Sequence, residues 1–294
     1  MGEKAFLWEP HRYLQFNDFR QRPFFDLTAR IGASAPARVV DLGCGPGNLT
    51  ATLARRWPGA QVVGLDSSAA MVAAAREAYR PHDPQEAHRP HDSSGFDAPG
   101  LSFAVADITD WHPAGDTFGP APDERGPESP APDVVVSNAA LQWVRRHRTL
   151  MSGWLEELRP GAWLGVQVPG NFNSPSHVIM RELAASGRWR KQLDGVLRHR
   201  DAVGEPAEYQ ELFLRAGVQA EVWETTYLHL LQGQDPVLDW VRGTGLRPVL
   251  AALGPDESEH FEKEYATLLA QAYPPGGHGT VFPFRRIFMV GEKQ

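Results

Sequence analysis

Residues 39–48 constrain the fold more than any other stretch, because the sequence VVDLGCGPGN places three glycines at alternate positions directly after a short apolar run. A glycine-rich turn between a strand and a helix lets the backbone approach a ligand closely, since glycine lacks a Cβ and tolerates left-handed backbone angles. Dinucleotides, nucleoside triphosphates and cofactors without phosphate all use such turns. The segment therefore predicts a strand, a ligand-binding loop and a helix, and it leaves the ligand open.

Alternating apolar and amphipathic segments extend this pattern along the chain. Strands are predicted at 37–42, 61–65, 101–106, 133–137 and 163–168, and helices at 49–57, 67–79 and 151–158. Later segments predict helices at 175–200, 206–216 and 235–273 and strands at 219–230 and 285–290. The pattern predicts a Rossmann-like α/β fold, with a doubly wound, mostly parallel seven-stranded sheet, an antiparallel last strand and a helical lid.

The chain is predicted to form a single domain over residues 1–294, with the cofactor-binding core at 36–170. Residues 1–35 and 171–280 are predicted to supply the lid and the substrate-binding helices around the edge hairpin. Two segments rich in Pro, Gly and Asp, at 80–100 and 112–132, lack apolar periodicity and are predicted to be flexible surface insertions. Both precede a strand, so we expect them at the edge of the sheet opposite the ligand.

Charge, hydropathy and cysteine content argue against several classes of protein. The formal net charge of −7 argues against a nucleic-acid partner. The two insertions together have a net charge of −5 and so account for most of it. Apolar runs are too short for a membrane span or a signal peptide, so we expect no membrane partner and a cytoplasmic location. The single cysteine, Cys44, excludes an intrachain disulfide. We expect no metal, because His82, His88 and His91 lie in an insertion without structured flanks.

The glycine spacing disfavours a phosphate ligand. Gly43, Gly45 and Gly47 differ from the G-x-G-x-x-G of dinucleotide sites, and no Gly-Lys-Ser/Thr follows them. Asp41 precedes the first glycine by two residues, where a carboxylate is awkward beside a pyrophosphate. The same carboxylate suits a cofactor that carries an ammonium group.

Polar residues also end the next three predicted strands, at Asp66, Asp107 and Asn138. A carboxylate at the end of the second strand can accept hydrogen bonds from both hydroxyls of a ribose. Asp107 is placed to meet an adenine amino group, with Ile108 and Met71 packed on the ring. Three aspartates at consecutive strand ends of a glycine-loop fold thus indicate an adenosine-containing cofactor.

Four segments resemble the successive motifs of class I S-adenosylmethionine-dependent methyltransferases: DLGCGPG at 41–47, DSSAAM at 66–71, ADI at 106–108 and SNAALQW at 137–143. Further segments resemble the trans-aconitate methyltransferase branch of that family almost end to end: WEPHRY at 8–13, QVPGN at 167–171, PSH at 175–177, WETTY at 223–227, DWVRGTGLRP at 239–248 and FPFRRIFMV at 282–290. The two acidic insertions depart from it. The resemblance implies S-adenosylmethionine as cofactor, bound by Asp41, Gly43, Gly45, Gly47, Asp66, Ser67, Met71, Asp107, Ile108 and Asn138.

The resemblance further implies an enzyme that esterifies a carboxylate of trans-aconitate, a small tricarboxylate, and releases S-adenosylhomocysteine. An ionised carboxylate is already a nucleophile at neutral pH, so positioning is sufficient and no catalytic general base is expected. Asn138 is followed by Ala-Ala-Leu rather than by the Pro-Pro-aromatic sequence of many enzymes that methylate exocyclic amines of bases. Methylation of a nucleic-acid base is therefore disfavoured.

A substrate with several carboxylates favours arginine, whose rigid fork of donors matches a carboxylate. The candidate substrate-binding residues are Tyr13, Gln142, Trp143, His177, Arg181, Arg247 and Arg285. Arg286, Arg12 and Arg22 are further arginine candidates. Two alternatives remain: a methyltransferase for another small carboxylic acid or secondary metabolite, and a cofactor-binding regulatory or scaffold protein without turnover. No obligate protein partner is expected.

Overall fold

A computed structural model describes residues 17–80, 98–115, 131–198 and 201–294. Most of both insertions and the candidate residue Tyr13 lie outside these ranges. The strands are β1 (Arg38–Leu42), β2 (Gln61–Asp66), β3 (Leu101–Val105), β4 (Val134–Asn138), β5 (Trp163–Pro169), β6 (Val218–Leu231) and β7 (Thr280–Lys293). The helices are α1 (Asn17–Thr28), α2 (Thr50–Arg56), α3 (Ala69–Ala78), α4 (His147–Glu157), α5 (Pro175–Ala184), α6 (Arg190–Leu193), α7 (Pro206–Arg215), α8 (Pro236–Arg242), α9 (Arg247–Ala252) and α10 (Pro255–Ala272).

The strands form one sheet in the order β3-β2-β1-β4-β5-β7-β6. Strands β1 to β5 run parallel, and β7 runs antiparallel to both β5 and β6. This topology confirms the predicted fold class. The strand order reverses between β1 and β4, which is the point where a doubly wound sheet opens a crevice for ligands at the carboxyl ends of its strands.

Helices cover both faces of the sheet, which explains why the strands are β-branched and buried. One face packs on α4 and α7 through Trp154, Leu155 and Phe213. The other packs on α1 and α2 through Leu27 and Leu53. In the described ranges, no helix combines the length and the apolar character needed to cross a bilayer.

The helices between β6 and β7 form a hydrophobic core of their own. Trp240, Phe261 and Phe282 lie at its centre, together with residues of α5 and Trp189. The insertion of helices between the two hairpin strands agrees with the sequence pattern. The pattern predicts a single helical stretch over 235–273, whereas the structure has three helices, because Pro248 and Pro255 each occupy the first turn of a new helix.

Candidate active site

The three loop glycines all have left-handed backbone angles, with φ of 79° at Gly43, 55° at Gly45 and 77° at Gly47. A Cβ on Gly43 would lie 2.3 Å from the Cβ of Ala140, and one on Gly47 would lie 2.6 Å from the ring of Phe103. A Cβ on Gly45 would meet no atom within 4 Å. Packing within the protein therefore excludes a side chain at the outer two positions, whereas Gly45 borders open space.

Alanine at Gly47 is expected to destabilise the fold more than alanine at Gly45. Both substitutions force a left-handed angle on a residue with a Cβ, which costs about 1–2 kcal/mol, but only Gly47→Ala also overlaps Phe103, which adds about 1–3 kcal/mol. Chemical denaturation should show a loss of unfolding free energy of about 2–5 kcal/mol for Gly47→Ala and about 1–2 kcal/mol for Gly45→Ala. Equal losses would contradict the packing role of Gly47.

The carboxylate of Asp66 bridges the loop and the start of α3. Its Oδ2 accepts a hydrogen bond from the Gly45 amide at 2.9 Å, and its Oδ1 accepts one from the Ser68 amide at 2.8 Å. Burial raises its pKa, while the two hydrogen bonds oppose that rise. Ser68 caps α3 by accepting a hydrogen bond from the Met71 amide at 3.4 Å, and the predicted cofactor residue Ser67 is exposed. Asp66 thus holds the glycine loop against the end of β2.

Asp41 lies beneath the loop rather than on its surface. Its side chain is 3% exposed, and its Oδ2 accepts a hydrogen bond from the Thr50 hydroxyl at 2.6 Å. Burial, reinforced by the charge of Asp66 and opposed by the Thr50 hydrogen bond, raises the pKa of Asp41 to about 7. Asp41 therefore joins the end of β1 to the first residue of α2 and holds a negative charge poorly.

The remaining predicted cofactor residues follow the same edge of the sheet. Asp107 is exposed, and its Oδ1 accepts from both the amide and the hydroxyl of Thr109 at 2.8 Å. Met71 is buried, and Ile108 lies 3.6 Å from where a Cβ on Gly43 would be. Because of the strand order, four residues follow one another in space along this edge: Asp107, Asp66, Asp41 and Asn138.

A cavity of about 110 Å³ opens beside Asn138, between the ends of β4 and β5 and the helices α5, α8 and α9. Four of the predicted substrate residues line it: Gln142, Trp143, His177 and Arg181. Its aromatic and aliphatic wall includes Phe172, Trp240 and Phe284. Sequence motifs far apart in the chain thus meet at one place next to the glycine loop.

Three arginines line the cavity, Arg181, Arg198 and Arg286, and among the described residues no aspartate or glutamate does. Arg286 is 4% exposed; its Nη1 donates to Gln167 Oε1 at 3.3 Å, and its guanidinium lies 4.5 Å from the ring centroid of Phe284. Arg198 donates to the carbonyl oxygen of Gln142, and its pKa is lowered by burial and by the charge of Arg145. The lining therefore concentrates positive charge in a site suited to an anion with several carboxylates.

Known proteins identify the family to which this fold and site belong. A family model described as "Methyltransferase domain" matches residues 16–219. The trans-aconitate 2-methyltransferase of Streptomyces avermitilis is 50% identical over 98% of this chain and 97% of its own length. The chain belongs to the trans-aconitate 2-methyltransferase family. It is therefore a methyltransferase, as its motifs predict.

A second member of that family, from Rhodococcus jostii, is 47% identical over 98% of this methyltransferase and 100% of its own length. Among solved structures, the YcgJ protein from Bacillus subtilis has a similar fold, with a TM-score of 0.53 and 13% identity. The match covers 93% of this chain and 99% of that one.

Two predicted arginines of the methyltransferase are not among the residues that line the cavity. Arg285 Nη2 lies 2.5 Å from carboxylate oxygens of both Glu205 and Glu224. Consecutive residues of a strand point to opposite faces, so Arg286 faces the cavity and Arg285 does not. Arg247 begins α9, whereas the following residue, Pro248, lines the cavity.

Arg198 is a cavity residue that no sequence motif indicates. This arginine follows α6 in a segment without a recognisable motif, and only the fold brings it to Gln142. Arg286 is among the further candidates from the sequence, but the pattern there does not show which of two adjacent arginines faces inward. The strand register supplies that information.

His177 of the methyltransferase lies beside two serines. Its Nδ1 is 3.4 Å from Ser174 Oγ and 3.3 Å from Ser176 Oγ. Burial, together with the charge of Arg181, lowers the pKa of His177 to about 4, so the imidazole is neutral at pH 7. It therefore adds hydrogen-bonding capacity to the cavity without adding charge.

Proposed function

We propose that this methyltransferase transfers the methyl group of S-adenosylmethionine to a carboxylate oxygen of trans-aconitate, giving a methyl ester and S-adenosylhomocysteine. The observation that carries the proposal is the cavity beside Asn138, whose lining includes three arginines and no carboxylate among its described residues. Relatives that are 47% and 50% identical are named trans-aconitate 2-methyltransferases, which supports the choice of acid.

The residues at the glycine loop fit the cofactor. Gly45 borders open space, and Asn138 Oδ1 is a buried oxygen without a hydrogen-bond partner among the described residues. A buried acceptor without a partner is costly, and the ammonium or a hydroxyl group of the cofactor would satisfy it. Asp66 would accept from the ribose hydroxyls, with Gly43, Gly47 and Ser67 shaping the loop and Met71, Asp107 and Ile108 around the adenine. Bound there, the cofactor supplies an electrophilic methyl group on a sulfonium.

The substrate side needs positive charge and orientation rather than acid–base chemistry. The trianionic substrate and the protein, whose formal net charge is −7, repel each other electrostatically. Local guanidinium groups must offset this repulsion. Arg181, Arg198 and Arg286 would bind the carboxylates, and the proposal also retains Gln142, Trp143, His177 and, from the sequence, Tyr13.

The reaction itself requires only alignment. A carboxylate oxygen forms a bond to the methyl carbon as the carbon–sulfur bond breaks, and the electron pair stays on sulfur. No proton moves, which agrees with a neutral His177 and with the absence of a need for a base. Holding the two groups in line can supply about 7–11 kcal/mol of the barrier. A cytoplasmic location and the absence of an obligate protein partner remain predictions from the sequence.

The test is to incubate the protein with S-adenosylmethionine and a panel of di- and tricarboxylates, while S-adenosylhomocysteine and the ester are measured by mass spectrometry. We expect turnover of trans-aconitate at a higher kcat/KM than any other acid in the panel. A higher kcat/KM for a different acid would move the function to the alternative, methylation of another small carboxylate. Cofactor binding without turnover of any acid would refute the proposal.

Cofactor affinity is expected to rise with pH between about 5.5 and 7. The ammonium group that S-adenosylmethionine and S-adenosylhomocysteine share favours ionised Asp41, whose pKa is about 7 in the free protein. Below that pKa, binding must therefore release a proton, so affinity rises by up to tenfold per pH unit and levels off above pH 7. Calorimetric titration with S-adenosylhomocysteine should show this slope in the wild type. In Asp41→Asn the slope should be absent, and an unchanged slope would show that another group titrates.

A further inference from the structure

Two amide side chains lie next to each other below the cavity. Asn138 of β4 and Gln167 of β5 are Cα partners in adjacent parallel strands, so their side chains project to the same face. The carbonyl oxygen of Gln167 accepts from the amide of Ala139, a cavity residue, at 2.9 Å. Pro169, two residues further along β5, also lines the cavity. Gln167 is thus positioned directly beneath the site, where it is 0% exposed.

The orientation of the Gln167 amide follows from its contact with Arg286. A guanidinium only donates hydrogen bonds, so the oxygen of the amide must face Arg286, as it does at 3.3 Å. The Nε2 group is therefore not the atom that contacts that arginine, and its two donors remain for another acceptor. This nitrogen is buried and has no hydrogen-bond partner among the described residues. A buried donor left unsatisfied is costly in a folded protein, which indicates that a ligand supplies the acceptor.

The two amides have buried atoms of opposite hydrogen-bonding character. Asn138 presents an oxygen without a partner, and Gln167 presents a nitrogen without a partner. An acceptor suits the cationic cofactor, and a donor suits an anionic substrate. Neighbouring strands lie about 4.8 Å apart, so the two ligands would meet across one strand spacing, as methyl transfer between them requires.

We propose that Gln167 is a specificity-determining residue that donates from Nε2 to the same substrate carboxylate that Arg286 binds. The inference rests on the proposed function. An oxygen that accepts from both groups is a weaker nucleophile, so this carboxylate anchors the substrate and a different carboxylate receives the methyl group. The site therefore selects acids with at least two carboxylates.

The test compares Gln167→Leu with Gln167→Glu. The leucine variant removes both hydrogen bonds, whereas the glutamate variant keeps an oxygen for Arg286, removes the donors and adds a negative charge. Gln232→Leu is the matched control, because the amide of Gln232 donates to the His278 carbonyl at 2.8 Å, away from the cavity lining. Two quantities are measured: steady-state kinetics with trans-aconitate, and calorimetric binding of trans-aconitate to the complex of protein and S-adenosylhomocysteine.

For Gln167→Leu, KM and Kd for trans-aconitate are expected to rise about 10- to 100-fold, the range for losing a hydrogen bond to a charged group. We expect kcat to change less than about threefold and the affinity for S-adenosylhomocysteine to stay constant. Gln167→Glu should bind trans-aconitate more weakly still, and Gln232→Leu should match the wild type.

The outcomes separate this inference from the proposed function. If both Gln167 variants bind trans-aconitate within twofold of the wild type, or if either loses affinity for S-adenosylhomocysteine in parallel, the role of Gln167 is overturned. If the wild type binds trans-aconitate without methylating it, the proposed function fails, and the binding comparison still decides the role of Gln167. If the wild type does not bind trans-aconitate, both are overturned.

Discussion

Replacing Arg286 by methionine is expected to lower kcat/KM for trans-aconitate by about 30- to 4,000-fold. The substitution keeps the length of a side chain that is 4% exposed and removes the charge that faces the cavity. Losing one partner of a buried, hydrogen-bonded charge pair costs about 2–5 kcal/mol, and each 1.4 kcal/mol corresponds to a factor of ten. Most of the loss should be in KM, because the arginine binds a carboxylate that does not react. Steady-state kinetics at saturating S-adenosylmethionine would measure it.

The neighbouring residue provides a matched control. Arg285→Met removes a guanidinium of the same size from the other face of β7, where it pairs with Glu205 and Glu224. Partly exposed pairs contribute about 0.2–1 kcal/mol each, so this variant should show a small loss of stability and a kcat/KM within about twofold of the wild type. Equal kinetic losses in the two variants would contradict the assignment of Arg286 to the substrate.

Replacing Asp66 by alanine is expected to weaken the binding of S-adenosylhomocysteine by about 10²- to 10⁴-fold. The expected loss of binding free energy corresponds to two hydrogen bonds from the ribose hydroxyls to a carboxylate, each contributing about 1.5–3 kcal/mol. The substitution also leaves the amides of Gly45 and Ser68 without their acceptor, so the glycine loop loses its attachment to the end of β2. Isothermal titration calorimetry of the purified variant would measure the change.

Asp110→Ala is the control for this substitution. Asp110 is an exposed aspartate on the turn that follows β3, and its amide donates to the Asp107 carbonyl at 3.1 Å. Removing its carboxylate changes the net charge by the same amount as Asp66→Ala. An affinity within about threefold of the wild type is expected. A comparable loss in both variants would mean that net charge, rather than the Asp66 carboxylate, controls cofactor binding.

The cofactor side of the fold could be predicted from the sequence because its signals are local. Strands β1 to β4 are short apolar runs with a polar residue at or within two residues of the carboxyl end, and the glycine loop and Asp66 lie within 30 residues of each other. The observed β1, β2, β3 and β5 begin and end within one residue of the predicted positions. Sheet order then follows from the few topologies that α/β chains allow.

The substrate side could be predicted only in part, because it is assembled from distant segments. The cavity brings together five distant parts of the chain, and no periodic pattern in the sequence links them: residues near 140, 180, 198, 245 and 285. Arg198 carries no local signal, and the choice between Arg285 and Arg286 depends on the register between β5 and β7. Pro248 and Pro255 divide the stretch 235–273 into three helices, and apolar periodicity alone does not reveal that division.

The hairpin that carries the inserted helices has an evolutionary consequence. Leu231 and Thr280 are directly paired, so residues 232–279 leave the sheet and return to it at adjacent positions. Changing the length of such a closed segment costs only about 0.6 kcal/mol per doubling and does not shift the pairing of β6 with β7. The segment supplies one wall of the cavity, including Trp240 and Pro248, and none of the glycine loop. Recombination of a single contiguous stretch of coding sequence could therefore alter which acid is accepted while the methyl-donor site is inherited intact.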